Sequence, residues 1–160
     1  MSADYAEILR QLAEHDVRFV LIGGLALNAW GVLRGTKDVD LVPDPDAANL
    51  ERLADALVGL GGQAQTGASF VSSSPGLASL MAGGDRVLVE TRSGPVDVVQ
   101  ALPGVPSFDD LLAHAETAEL LGFSILLCSL EDLRAMKRAA GRPQDLVDLE
   151  NLDIAHGPEA

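Results

Sequence analysis

The chain has 160 residues, about one domain's worth, and 48% of them are hydrophobic, enough to fill a core, while only 4% are aromatic, so Ala, Leu and Val must supply the packing. A formal net charge of −13 argues against a broad electrostatic grip on nucleic acid, which depends on clustered Lys and Arg. No apolar run approaches the roughly 18 residues a membrane span needs, the N-terminal segment is not a basic-then-apolar leader, and the one cysteine, Cys128, cannot close an internal disulfide. We therefore expect one cytoplasmic domain over 1–160, with the Cys128 thiol buried among Leu126, Leu127 and Leu130.

With Ser2 as a cap, Tyr5, Ile8, Leu9 and Leu12 recur at helical spacing, which predicts an amphipathic helix ending near His15 and Asp16. Residues 17–22 form a short apolar strand that runs into Gly23-Gly24 and a helix over 25–30. Gly31 and Gly35 bracket a turn, a second strand covers 36–42 and stops at Pro43 and Pro45, and residues 47–60 read as a helix with Leu50, Leu53, Ala54 and Leu57 on one side. Residues 61–84, rich in Gly, Ser and Ala, read mostly as loop, with at most a short strand at 69–71. Two strand-like runs, 86–91 and 95–100, are joined by a hairpin at Arg92-Ser-Gly94. A helix over 108–118, a strand over 123–127, a helix capped by Ser129 with capping-box spacing to Asp132, a break at Gly141-Arg-Pro143 and a last helix from Gln144 complete the chain. The order strand, helix, strand, helix predicts an α/β (α+β) fold, a mixed sheet flanked by helices.

The residues with chemical potential sit on these elements. Strand side chains repeat every two residues, so Asp38 and Asp40 leave one face together. Asp97 stands among Val96, Val98 and Val99, where a charge is costly unless it is paired or metal-bound. If its strand neighbours 36–42, three carboxylates converge, and their mutual repulsion makes sense mainly around divalent ions with phosphate ligands. Other uses stay open for each piece: Asp38 and Asp40 could serve a turn, Gly23-Gly24 could be a plain tight turn, and Asp97 could pair with Arg34 or Arg86. The basic residues Arg134, Lys137, Arg138 and Arg142 could meet a polyphosphate or form a solvated helix face with i, i+4 pairs. His15, His114 and His156 lack metal-ligand spacing. A dinucleotide site is excluded by the absence of G-x-G-x-x-G, a P-loop by the absence of G-x-x-x-x-G-K-[ST], and a G-x-S-x-G hydrolase by the absence of that pattern.

Taken together, Leu21-Ile-Gly-Gly-Leu-Ala26, Arg34-Gly-Thr-Lys-Asp-Val-Asp-Leu41, Val96-Asp-Val98, Ser129-Leu-Glu-Asp-Leu-Arg-Ala-Met-Lys137 and Gly141-Arg-Pro-Gln-Asp-Leu-Val-Asp148 resemble the nucleotidyltransferase superfamily of the DNA polymerase β type. Within it, the small AbiEii-like branch associated with toxin–antitoxin systems is the most similar. The resemblance implies a minimal nucleotidyltransferase fold that moves a nucleoside monophosphate from an NTP such as ATP to an acceptor. Asp38, Asp40 and Asp97 would be both catalytic and metal-binding, holding two Mg²⁺ ions (or Mn²⁺), with Asp97 as general base on the acceptor hydroxyl. Gly23, Gly24, Arg34, Thr36, Lys137 and Arg142 would contact the nucleotide, while Asp145 and Asp148 would tie the last helix to the sheet. Leu25 stands where many members carry a phosphate-binding serine. The negative surface favours a tRNA end, a protein hydroxyl or a small molecule over long RNA as acceptor, and the branch implies an antitoxin protein as partner. The rival expectation is a catalytically inactive relative that keeps the fold and binds a nucleotide or a protein.

Overall fold

A computed structural model describes residues 3–159, so the Ser2 cap lies outside the described residues. The first helix, α1 (Tyr5–Glu14), is capped by Asp4, whose carboxylate accepts from the Glu7 N–H, and its buried stripe is Ile8, Leu9 and Leu12. β1 (Phe19–Ile22) is buried along its whole length and becomes a central strand, as its unbroken apolar run requires. Then come α2 (Gly23–Ala29), β2 (Val39–Pro43), α3 (Ala47–Gly59), β3 (Ala64–Thr66), β4 (Ser69–Val71), α4 (Ser74–Ala82), β5 (Asp85–Thr91), β6 (Gly94–Gln100), α5 (Phe108–His114), β7 (Glu116–Leu120), β8 (Phe123–Leu127), α6 (Leu130–Ala140) and α7 (Pro143–His156).

Six strands form one mixed sheet in the order β5-β6-β2-β1-β8-β7, and β3 and β4 form a separate hairpin. β2 runs antiparallel to β1 but parallel to β6, with Asp40 directly opposite Asp97. In the same sheet β8 pairs parallel with β1, while β5 and β7 close the two edges antiparallel to β6 and β8. The alternation places Val39, Leu41, Val96 and Val98 in the core and turns Asp40 and Asp97 together to the opposite face. A single apolar cluster joins the sheet to the stripes of α1 and α3. Cys128 is fully buried in it, and that burial pushes its thiol up to about 12, which leaves it unreactive.

Four expectations need correction. Residues 36–38 are not strand: Thr36 is pressed against Gly24, and its carbonyl accepts from the Tyr5 hydroxyl. The loop expected over 72–84 holds α4, started by Ser73, whose hydroxyl accepts from the Gly76 N–H, with Pro75 in the first turn. The helix expected to reach 118 stops at His114, because residues 116–120 pair with β8 instead. The last helix begins at Pro143 and continues to His156, and no helix among the described residues is long and apolar enough to cross a membrane.

Candidate active site

The strand-to-helix corner after β1 sets the geometry. Ile22 pairs with Asp40, so the next residue, Gly23, turns the chain directly beneath the Asp40 carboxylate. Gly23 has φ +72, and a Cβ there would lie 2.0 Å from Asp40 Oδ2. Both facts demand glycine: the left-handed backbone and the close approach of an acid to the main chain. Gly24 is needed for a second reason, since a Cβ on it would sit 2.3 Å from the Thr36 hydroxyl.

Across β2 and β6 the acids converge. One oxygen from each of Asp38, Asp40 and Asp97 lies within 4.8 Å of the others, a spacing that could hold a metal ion. Asp97 is 5% exposed and the other two are half-buried. Burial pushes the Asp40 carboxyl up to about 7, and repulsion from Asp97 and Asp38 adds to the rise against the opposing pull of Arg86 and Lys137. Asp97 also accepts from Arg86, whose Nε donates to both carboxylate oxygens at 2.8 and 2.7 Å. Both readings of Asp97 therefore hold at once: it is paired with an arginine and it faces the other two acids.

These side chains open into a cleft of about 250 Å³ that also takes in Gly23, Lys137, Arg142 and Asp145. Its far wall is apolar, from Val99, Leu102, Val105, Leu133 and Met136. Sequence reading missed that wall, although Leu133, Met136, Lys137 and Ala140 recur at the spacing of a single helix face. Gly24, Arg34 and Thr36 do not line the cleft.

Behind Lys137 stands a network of charges. α7 folds back on α6 and brings Asp145 and Asp148, which are almost inaccessible to solvent, against Lys137 Nζ at 3.4 and 2.9 Å. Asp148 also accepts a two-pronged contact from Arg34 at 2.8 Å and a bond from Gln144 at 2.9 Å. Burial alone would raise its carboxyl; the bonds from Arg34, Lys137 and Gln144 outweigh that and hold it at about 2. Asp145 takes Arg142 and caps α7 through the Arg142 N–H. The two aspartates thus tie α7 to α6 and to the loop before β2. The basic cluster divides in two: Lys137 is buried and so is Arg134, which meets Asp153, while Arg138, paired with Glu159, and Arg142, paired with Asp145, keep solvated faces.

A mixed sheet that presents three converging carboxylates beside a glycine turn defines the nucleotidyltransferase class. The family described as nucleotidyl transferase of unknown function (DUF2204) matches residues 1–156, and the chain belongs to it. No curated protein matches the chain. Among solved structures it is similar to the lincosamide antibiotic adenylyltransferase LnuA in its lincomycin-bound form, at 16% identity over 96% of this chain and 98% of that one, with a TM-score of 0.66. It is also similar to the antibiotic-resistance factor ANT(2'')-Ia, at 16% identity over 94% and 80% of the two chains and a TM-score of 0.59. A proposed nucleotidyltransferase of Thermotoga maritima, TM1012, matches at 16% identity over 92% and 91%, with a TM-score of 0.57. At these identities the likeness is one of fold.

Proposed function

We propose that this family member transfers a nucleoside monophosphate from an NTP to an acceptor hydroxyl within a single domain, with Asp38, Asp40 and Asp97 as its catalytic acids. The observation that carries the proposal is the meeting, within 4.8 Å, of three carboxylates from β2, the residue just before it and the distant β6. Three hard oxygen donors at that spacing suit Mg²⁺, as two ions in the usual arrangement, or Mn²⁺. Bound there, a divalent ion would offset charge on the phosphates and orient the α-phosphoryl group. The chain's own groups do the rest. Asp97 accepts the proton as the acceptor oxygen bonds to the α-phosphorus, and the bond to the β-phosphate oxygen breaks to release pyrophosphate. The Gly23 turn, which lines the cleft, is placed to meet the phosphates, and Lys137 and Arg142, anchored by Asp145 and Asp148, supply positive charge along the cleft. Holding the reactants in place is most of the catalysis in such transfers.

For the acceptor, the charge of −13 weighs against long RNA. The similarity in fold to LnuA makes ATP with a small hydroxylated compound the first pair to try, ahead of a tRNA end or a protein hydroxyl. The test incubates the protein and Mg²⁺ with each labelled NTP and with lincosamides, aminoglycosides, tRNA or cell protein. Transfer of label, lost in Asp38→Ala, is expected. No transfer to any acceptor, together with no Mg²⁺-dependent NTP binding by calorimetry, would instead favour the catalytically inactive relative that acts as a binding module. A toxin role with an antitoxin partner rests on the AbiEii-like resemblance and predicts growth arrest on induction that Asp40→Asn abolishes.

A further inference from the structure

The cations around the cleft are not equivalent. Lys137 is held by Asp145 and Asp148, Arg34 by Asp148, and Arg142 by Asp145. Among the described residues, Arg86 is the cation bonded to the acidic triad itself, and both bonds run from its Nε to the two oxygens of Asp97. The same carboxylate supplies the oxygen that comes within 4.8 Å of Asp38 and Asp40. Arg86 and a divalent cation therefore seek the same atoms. The arginine side chain is 55% exposed at the cleft mouth, which leaves it room to swing away, and among the described residues neither Nη group has a protein acceptor.

We infer that Arg86 is a positioning residue that competes with the cation for Asp97 and so sets the metal affinity of the site. The inference rests on the proposed metal-dependent reading. Two physical effects add. A guanidinium bonded to Asp97 repels an incoming dication, and it occupies lone pairs that the ion would use. Arg86 also offsets part of the charge of the three crowded acids through its two bonds to Asp97. Arg86 thus stabilises the protein without metal at the cost of weaker metal binding. Once displaced, its guanidinium stands at the cleft mouth with donors to offer an anionic oxygen of the substrate.

Titration of the full-length protein with Mn²⁺, followed by electron paramagnetic resonance, tests this without any turnover. Arg86→Gln should bind Mn²⁺ at least threefold more tightly than wild type, and Arg86→Lys should fall between the two. In EDTA at pH 8 the melting temperature of Arg86→Gln should lie below wild type, and Mn²⁺ should raise it more than it raises wild type. A merely structural arginine would give the opposite sign, because a loosened site binds the ion less well. Wild type that binds Mn²⁺ with Arg86→Gln equal or weaker would overturn the competition and leave the metal site standing. Wild type that binds no Mn²⁺ would overturn both.

Discussion

Asp40→Asn in metal-free protein is the sharpest test of the triad. The wild-type carboxyl is moved from 3.8 to about 7 by burial first and then by Asp97 and Asp38. A folded-state value above the unfolded one means the fold prefers the protonated acid, so stability is fully present below about pH 4 and is lost as pH rises to 7. At about 1.36 kcal/mol per unit, the full loss is a little over about 4 kcal/mol, and partial solvent access reduces it to roughly 3. The amide has the shape of the acid it replaces, fits the same space over Gly23, and carries no charge at any pH. In EDTA at pH 8 Asp40→Asn should therefore melt above wild type by roughly 6–12 °C for a chain of this size, and near pH 4 the two should coincide. Mg²⁺ reverses the order: wild type should gain about 4.1 kcal/mol at a thousandfold excess over Kd, and the variant far less. Urea and thermal melts at pH 4, 6 and 8, with EDTA or Mg²⁺, measure both halves. If Asp40→Asn melts at or below wild type at pH 8 in EDTA, the reasoning that the acids repel one another is refuted.

Asp148→Asn should destabilise the protein at neutral pH. Because the wild-type carboxyl is held at about 2, wild type should lose about 2 kcal/mol more than the variant between pH 4 and pH 2, as acid titration by circular dichroism would show. Lys137→Met leaves two buried carboxylates short of a partner and should cost roughly 3 kcal/mol in urea unfolding. Arg138→Ala, at an exposed pair with Glu159, should leave the melting temperature unchanged. Gly23→Ala should push the Asp40 carboxylate aside and lower kcat on the order of a hundredfold. Gly35→Ala, with open space around its Cα, should be silent in the same transfer assay. Asp38→Ala should abolish transfer and still unfold cooperatively, whereas a collapse of the fold would assign that acid a structural role.

The sequence was informative where a local pattern decided the outcome. β1, β5, β6 and β8 could be found because each is an apolar or alternating run between turn residues. The period of two is the wrong ground for grouping Asp38 with Asp40, because Asp38 precedes β2, although the acids do meet. The parallel pairing that brings Asp97 opposite Asp40 joins segments more than fifty residues apart, so sequence could supply it only as a condition. Where local and tertiary preferences conflict, the tertiary contact won. Glu116-Thr-Ala-Glu-Leu120 has a composition that suits a helix, yet β8 recruits it as an edge strand. At Ser72-Ser-Ser-Pro75 the turn signal hid a helix start made of the same residues, Ser73 as cap and Pro75 in the first turn. The partners of Lys137 lie on a helix whose return path no local spacing encodes.

The opposition of Asp40 and Asp97 across β2 and β6 also decides when the centre comes into being during folding. Everything from α3 to β5 lies between the two strands, so the acidic triad cannot exist in any intermediate that has not completed that crossover. A pairing slip of one residue would turn one acid into the core and leave the other alone outside. Under the proposed reading, uptake of a divalent ion would thereby report correct assembly: a nascent or truncated chain ending before residue 94 would carry two of the three acids and lack the third.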